Sequence, residues 1–325
     1  MRVIHVGLGG FGIGWCKLMH QRNDIDLIAI VDSNVNTHEK VSELKIPCYI
    51  SLEDALRAAK PDFIFNATPP HVHLAINKLA FSHNIPVLME KPISENFEDA
   101  IAMLEYAKSG QKLVVAENYR FYNNNIFVKE QIQSRLRNIS SINMVFRQHH
   151  HMPDTNYHSG MEHPALIDLG VHHIDLLRFF TGKEVKHVYA QVNTPAWSWY
   201  KGFSNVKMLA TMEDGVQFSY ECSMDSYAKT SWNGNWAFTA ENGVARYEKD
   251  KLYFSMEDGE YVLDVPENEN GQDKHRILDE FIAYVQGGAI PQTDITDQIY
   301  TSAVVEAAIQ STEIIGEIYV REVLA

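Results

Sequence analysis

An apolar helical stretch from Pro164 to Phe180 carries three polar side chains that could do acid–base chemistry. Asp168 and His172 are four residues apart and Asp175 follows His172 by three, so on an α-helix all three project from one face. An imidazole titrates at about pH 6.5 in isolation and can take a proton from an alcohol, while a neighbouring carboxylate orients the ring or binds substrate. Internal hydrogen bonds or salt bridges would explain the same residues equally well, so the helix alone leaves both interpretations open.

A lysine in the segment Glu90-Lys91-Pro92 follows a short aliphatic run that is typical of a buried strand. Open α/β sheets bind ligands at the carboxyl ends of their strands, which is where this lysine would lie. An ammonium there could stabilise the negative charge that grows on an alcohol oxygen while its carbon loses a hydride. A solvated surface charge is the alternative, because lysine is rarely buried.

The first strand is followed by Gly7-Leu8-Gly9-Gly10-Phe11-Gly12, a pattern typical of a dinucleotide-binding turn. Such glycines permit close approach to a pyrophosphate, which the N-terminus of the next helix also attracts. Asp32 ends the second strand 20 residues after Gly12, where a carboxylate binds both ribose hydroxyls and repels a 2′-phosphate, so we expect NAD rather than NADP. The expected cofactor contacts in this region are Gly7, Gly9, Gly10, Phe11, Gly12 and Asp32. A turn without a ligand, with Asp32 as a helix cap, is the alternative.

Two further turns at the same sheet edge complete the expected cofactor site. The segment 66–73 follows the third parallel strand, and the prolines of Thr68-Pro69-Pro70 fix a turn there. Position alone favours a cofactor contact in this segment, because its histidines would serve equally well as surface residues. The residues assigned to the cofactor from these two turns are Thr68, Pro69, His73, Glu90 and Lys91.

Histidines cluster between residues 149 and 163 and suggest a zinc site, because imidazole is a common metal ligand. The run from His149 to His151 is consecutive, however, and adjacent strand residues point to opposite faces. With no cysteine nearby, we expect no metal site. The cluster leads into the acid–base helix, so we expect it to border a substrate pocket. The residues expected to line that pocket are Tyr157, His158, His163, Asp168 and His172.

The chain of 325 residues is long enough for two domains. Up to about residue 121, short aliphatic strands alternate with helical patterns, which predicts a parallel, doubly wound sheet. Beyond it, hairpin signals at Asp214-Gly215, Asn242-Gly243 and Asp258-Gly259 predict a mainly antiparallel sheet. We expect a cofactor-binding domain at 1–121 and a domain for substrate binding and oligomerisation at 122–325, with a C-terminal helix near 297–318 that could pack back on the first domain.

Composition excludes several classes of protein. The 28 lysines and arginines against 42 acidic residues give a formal charge of −14, which would repel nucleic acid. Three scattered cysteines form neither a disulfide framework nor a thiolate zinc site, and a reducing cytosol fits them best. The start of the chain reads as a strand, and no apolar run is long enough to span a bilayer, so we expect a cytoplasmic protein with no membrane partner.

Four motifs, taken together and in order, resemble the Gfo/Idh/MocA oxidoreductases, the family of glucose-fructose oxidoreductase and inositol dehydrogenase. They are Gly7-x-Gly9-x-x-Gly12, Thr68-Pro69-Pro70, Glu90-Lys91-Pro92 and Asp168-x-Gly170-x-His172-x-x-Asp175. The resemblance implies a Rossmann domain followed by an α/β domain with a large, open, mainly antiparallel sheet, which often joins subunits into homodimers or homotetramers. The chain departs from the family at 160–165, where a glycine-rich run is common, so the resemblance does not specify the substrate.

The resemblance also implies roles for individual residues. Lys91 is the active-site lysine of the motif, His172 the acid/base, and Asp168 its neighbour that contacts substrate hydroxyls. Tyr119 lies in a segment similar to the family's segment after the fifth strand, which makes it a candidate substrate contact. The expected function is hydride transfer between NAD and a hydroxyl-bearing carbon of a sugar, cyclitol or related polyol. Two alternatives on the same fold stay open: a non-catalytic regulator that senses NAD or a sugar, and a glycoside hydrolase that uses tightly bound NAD for transient oxidation.

Overall fold

The chain forms two compact units in the computed structural model, which describes residues 1–149, 151 and 160–325. The first unit comprises Met1–Asn118 and Gly271–Ile299, and the second comprises Tyr119–Asn270 and Tyr300–Ala325. The segment Gly271–Ile299 therefore belongs with the N-terminal part of the chain, although its sequence position places it within the expected second domain.

A six-stranded parallel sheet forms the centre of the first unit, with strand order β3-β2-β1-β4-β5-β6. The strands are β1 (Arg2–Val6), β2 (Asp26–Val31), β3 (Cys48–Tyr49), β4 (Phe63–Asn66), β5 (Val87–Glu90) and β6 (Leu113–Ala116). This is the strand order of a Rossmann fold. The order in which strands are added reverses between β1 and β4, which leaves a ligand crevice at the carboxyl ends of these strands. The predicted doubly wound parallel sheet is confirmed.

Helices connect these strands and continue into the second unit. They are α1 (Gly10–Gln21), α2 (Leu52–Ala58), α3 (His73–Ser82), α4 (Phe97–Lys108), α5 (Asn123–Arg135), α6 (Val171–Thr181), α7 (Gln272–Val285), α8 (Ile295–Ile314) and α9 (Val320–Val323). Short 3₁₀ segments cover Val35–Leu44, Pro70–Val72 and Asn118–Phe121, and a π-helical turn covers Ala165–Gly170. Ser51 caps α2 by accepting a hydrogen bond from the amide of Asp54. None of the helices in the described residues combines the length and apolar character needed to cross a bilayer.

A nine-stranded sheet dominates the second unit, in the order β14-β13-β12-β11-β7-β10-β9-β8-β15. Its strands are β7 (Ile139–Arg147), β8 (Val185–Asn193), β9 (Asn205–Met212), β10 (Gln217–Ser223), β11 (Asn235–Ala240), β12 (Gly243–Glu248), β13 (Lys251–Met256), β14 (Gly259–Asp264) and β15 (Ile318–Tyr319). Every neighbouring pair is antiparallel except β7 with β10. The predicted large, mainly antiparallel sheet is confirmed. Each of the three dipeptides that predicted a hairpin lies at the connection between two paired antiparallel strands.

Alternation along these strands buries one face of the second sheet. In β9, Val206, Met208, Ala210 and Met212 are buried, whereas the residues between them are exposed or half-buried. The apolar helix α6 belongs to the same unit, and Phe180 near its end contacts the ring of Trp236 on β11 at a centroid distance of 5.3 Å. Burial on one face only is what a period of two in the sequence produces.

Candidate active site

Two glycines of the first turn are required by the packing of the protein itself. Gly7 has a φ of +99°, and a Cβ on it would lie 2.5 Å from the carbonyl oxygen of Ala67. A Cβ on Gly12 would lie 2.2 Å from the carbonyl oxygen of Gly7. Only glycine therefore lets α1 begin this close to the end of β1 and to the turn after β4.

The two glycines between them face open space. A Cβ on Gly9 or Gly10 would meet no described atom within 4 Å. Helix α1 begins at Gly10 with no side-chain cap and no acidic residue in its first turn, so its first amides and the positive end of its dipole are available to an anion. Phe11, 63% exposed, lies at the same helix end. The backbone therefore fits a pyrophosphate, with room where a side chain would otherwise stand.

Asp32 is held against this turn by two backbone amides. Its Oδ2 accepts from the amide of Leu8 at 2.7 Å, and its Oδ1 accepts from the amide of Asn34 at 2.8 Å. Each oxygen of the Asp32 carboxylate can accept a second hydrogen bond, so both can still accept from ribose hydroxyls. Beneath the turn, the buried ring of His5 donates from Nε2 to the carbonyl of Gly7 at 2.7 Å.

The turn after β4 is organised by Asn66. Its Oδ1 accepts from the Thr68 amide at 3.2 Å and from the Thr68 hydroxyl at 2.7 Å. His73 is fully buried, with Nε2 2.9 Å from the carbonyl oxygen of Thr68 and Nδ1 3.1 Å from that of Ile93. Burial lowers the pKa of His73. Because both ring nitrogens face backbone carbonyls, the structure gives His73 a part in shaping the turn, while Thr68 and Pro69 lie at its half-buried surface.

The end of β5 is joined to α1 through Glu90. This carboxylate accepts from the indole nitrogen of Trp15, and its other oxygen accepts from the Lys91 amide at 3.2 Å. The ammonium of Lys274 lies 5.1 Å from the centre of the Trp15 ring. Burial raises the pKa of Glu90, and the charges of Lys91 and Lys274 oppose that rise. Glu90 thus serves as an anchor for the backbone that carries Lys91, a contact that the sequence pattern did not suggest.

His172 lies near the start of α6 and is buried. Its ring stacks face to face on that of Tyr119, with centroids 4.0 Å apart and planes 7° from parallel. Asp168, also buried, lies in the π-helical turn that precedes α6. The sequence predicts one continuous α-helix here, so the α-helical spacing expected between Asp168 and His172 is wrong: the wider π turn intervenes, as such turns often do at functional sites. Burial raises the pKa of Tyr200, and the nearby charge of Asp168 raises it further.

Asp175 has a different environment from the one that its helical spacing suggested. Its two oxygens accept from Nε and Nη2 of Arg120, each at 2.7 Å, and one also accepts from the Thr301 hydroxyl at 3.1 Å. A second guanidinium, that of Arg178, lies 3.7 Å away. Asp175 is therefore part of a buried ion-pair network, which is the structural alternative considered for this helix. The sequence carries no local signal for the pairing with Arg120.

Among the histidines expected near the substrate, His163 is described and buried. Its ring packs against Phe203 at a centroid distance of 5.0 Å, and burial lowers its pKa. Its carbonyl accepts from the amides of Leu166 and Ile167, so it fixes the start of the π-helical turn. Tyr157 and His158 lie outside the described residues. Within the described ranges, no group of three histidine, cysteine or acidic side chains could hold a metal ion.

The parallel sheet and the glycine turn define a class of protein: an oxidoreductase with an NAD-binding Rossmann fold. A model described as "Oxidoreductase family, NAD-binding Rossmann fold" matches residues 1–119, and the GFO/IDH/MocA C-terminal domain matches residues 128–246. The chain belongs to the Gfo/Idh/MocA oxidoreductase family.

Individual relatives are distant. The inositol 2-dehydrogenase of Pseudarthrobacter chlorophenolicus is 28% identical over 207 residues, which span 60% of this chain and 60% of that enzyme. An uncharacterised protein of Sinorhizobium fredii, y4oX, is 24% identical over 99% of this chain and 96% of its own length. An oxidoreductase from Agrobacterium radiobacter, solved with NAD⁺, L-tartaric acid and magnesium, has a TM-score of 0.86 at 20% identity, over 99% of both chains. This likeness shows a shared fold.

Proposed function

We propose that this chain is an NAD-dependent dehydrogenase that interconverts an alcohol and a carbonyl on a sugar, cyclitol or related polyol. The observation that carries the proposal is the environment of His172, a buried imidazole held against Tyr119 and preceded by Asp168 in a π-helical turn. A buried imidazole of this kind can exchange a proton with a substrate hydroxyl. A relative named as an inositol 2-dehydrogenase supports a polyol substrate.

In the proposed reaction, bound NAD supplies the two-electron acceptor or donor. His172 takes the hydroxyl proton as the alcohol is oxidised and returns it in the reverse direction. Lys91 stabilises the negative charge that develops on the substrate oxygen, and Asp168 orients the substrate hydroxyls. The first unit binds the cofactor and the second binds the substrate, in keeping with the motifs that each contains.

We propose NAD rather than NADP because of Asp32. A 2′-phosphate would face a carboxylate that two backbone amides already fix in place. Titration with NADH and NADPH tests this preference, which we expect to exceed about tenfold, because like charges brought together cost several kcal/mol. Equal affinities would contradict the assignment.

We also propose a cytosolic homodimer or homotetramer assembled through the nine-stranded sheet. Leu209 on β9 is 61% exposed on a face of the sheet that is otherwise largely polar. Light scattering after gel filtration tests the oligomeric state, and a monomer at micromolar concentration would contradict this part of the proposal.

A screen of cyclitols and sugars for NADH formation tests the function itself. We expect at least one polyol to reduce NAD, and His172→Asn to remove turnover while NADH affinity stays the same. Asparagine keeps a hydrogen-bonding group but cannot act as a base near neutral pH. His173→Asn is the matched control, because the same substitution is made at a buried histidine of the same helix, whose ring nitrogens face the hydroxyl of Tyr220 and the carbonyl of Trp232. Turnover that survives in His172→Asn would refute the assigned role.

A further inference from the structure

An aromatic cleft lies in the second unit among residues to which the proposed reaction gives no part. It encloses about 330 Å³ and is lined by His149, His151, Trp197, Trp199 and Tyr227. Small-molecule sites start at about this volume and are commonly lined by aromatic side chains with a few polar groups. Each of the five lining residues in the described part of the chain carries a planar ring, and two of these rings are imidazoles that can donate or accept hydrogen bonds.

The rings of the aromatic cleft support one another. His149 stacks on Tyr227 with centroids 4.0 Å apart, and Trp199 makes T-shaped contacts with both imidazoles, with centroid distances of 4.7 Å to His149 and 4.9 Å to His151. Two rings remain open to solvent, Trp197 at 74% and Tyr227 at 83% exposure. Exposed apolar side chains that lie together in one patch mark ligand or partner sites more often than single ones do.

The loop that carries Trp197 and Trp199 is held in place by internal hydrogen bonds. The hydroxyl of Thr194 donates to the carbonyl of Gly202 at 2.7 Å and closes the loop at its base. Ser204 donates to the buried carboxylate of Asp225 at 2.7 Å and lies 3.2 Å from the hydroxyl of Ser198. Asp225 also forms a backbone bridge with His149, so the two sides of the aromatic cleft share one support. A cleft that is ordered before binding loses less entropy when a ligand enters.

The same loop reaches toward the proposed chemistry. Trp199 lines the aromatic cleft, and its ring lies 5.7 Å from that of the next residue, the buried Tyr200. Three residues further on, the amide of Phe203 donates to the carbonyl of Glu162 at 2.7 Å and its carbonyl accepts from the amide of Ala165 at 3.4 Å, at the start of the π-helical turn that holds Asp168. A short stretch of chain in one unit therefore connects the aromatic cleft with the residue that is proposed to orient the substrate.

Charge and shape together indicate the ligand. Among the described residues, the lining contains no lysine, arginine or carboxylate, and the formal charge of the chain, −14, disfavours anions. Flat aromatic faces suit the C–H faces of a sugar ring, while the imidazoles can meet its hydroxyls. We propose that the aromatic cleft binds a neutral sugar ring, so that the substrate is a two-ring compound whose second ring is held by Trp197 and Tyr227. The link to catalysis rests on the proposed function, whereas the binding of the ring does not.

Calorimetry on the NAD-loaded protein can test this proposal with defined probes. Galactinol, maltose, cellobiose, lactose, sucrose and trehalose are each compared with their separate component rings. We expect at least one two-ring compound to bind about tenfold more tightly than either of its components, since two linked contacts add their binding energies. Trp197→Ala and Tyr227→Ala should remove that advantage and leave NADH affinity unchanged, while Trp197→Phe retains most of it. Ile290→Ala is the control, because it removes an exposed apolar side chain outside the aromatic cleft.

Three results would overturn the proposal: no two-ring advantage for any probe, an advantage that survives in Trp197→Ala, or a mass by light scattering that falls in Trp197→Ala while sugar binding does not. The last would identify the aromatic cleft as an interface between copies of the chain. NADH formation distinguishes this proposal from the proposed function. If two-ring binding depends on Trp197 but no NADH forms, the sugar-ring site is supported and the dehydrogenase function is contradicted. If Trp197→Ala forms NADH as well as the unaltered protein does, the dehydrogenase function is supported and the sugar-ring site is contradicted.

Discussion

Alanine at Gly9 should weaken cofactor binding without destabilising the fold, whereas alanine at Gly12 should destabilise it. Gly9 has a φ of −66°, which alanine adopts without strain, and its Cβ would meet no described atom within 4 Å. The Cβ of an alanine at position 12 would lie 2.2 Å from the carbonyl oxygen of Gly7, a backbone atom that cannot swing aside. The two substitutions add the same methyl group to one turn but test different properties of it.

The expected magnitudes follow from these contacts. Gly9→Ala replaces a helix N-cap residue, so its cost in the free energy of unfolding should stay below about 1 kcal/mol. A methyl group in the pyrophosphate position would cost at least one hydrogen bond to a charged group, about 1.5–3 kcal/mol, which corresponds to roughly a 10- to 150-fold loss of affinity. Gly12→Ala overpacks the backbone and should cost about 1–3 kcal/mol of folding free energy or more.

Isothermal titration with NADH, combined with urea unfolding followed by circular dichroism, separates the two effects. Gly9→Ala should keep nearly the urea midpoint of the unaltered protein but bind NADH more weakly. Gly12→Ala should have a lowered urea midpoint. Undiminished NADH affinity in a folded Gly9→Ala protein would show that the open space at this turn does not receive the cofactor, and the assignment of the turn would fail.

Lys91→Met should leave NADH affinity nearly intact and lower kcat by about 100-fold or more, because it removes one stabilising charge from the transition state; steady-state kinetics with unchanged kcat would exclude the lysine from the chemistry. Asp175→Asn should cost about 3–5 kcal/mol of unfolding free energy, because it leaves Arg120 buried without its counter-charge, whereas Asp264→Asn should barely move the urea midpoint since it breaks an exposed pair. Equal midpoints for the two variants would contradict this. Burial lowers the pKa of His5 to about 4. As the pH falls from about 6.5 to 4, the unfolded chain therefore binds a proton that the folded chain does not. The free energy of unfolding should fall by about 3 kcal/mol over this range. His5→Gln should flatten urea midpoints across that range, and an undiminished slope would refute the argument.

Much of the cofactor half could be predicted because its signals are local. The glycine turn, Asp32 and the aliphatic strands lie within short stretches whose geometry the residue types dictate. The two-residue strand β3 was not predicted, because so short a strand has no periodicity to recognise.

The substrate half was harder because its decisive contacts join distant residues. Arg120 and Asp175 are 55 positions apart, and no pattern along the chain links them. The π-helical turn at Asp168 escaped prediction because apolar residues on nearly every side leave no period from which to tell a π turn from an α turn. His73 was assigned from its position in a turn, whereas its orientation depends on a carbonyl 20 residues away.

The return of Gly271–Ile299 to the first unit has a consequence for biosynthesis. The ring of Phe281 on α7 contacts that of Phe63 at a centroid distance of 5.1 Å, and the amide of Val115 donates to the carbonyl of Thr293 at 3.0 Å. A ribosome delivers α7 only after the whole nine-stranded sheet except β15, so the nascent N-terminal part must wait for its last packing partners. A stop codon upstream of α7 would therefore damage nucleotide binding without altering a single residue of the glycine turn.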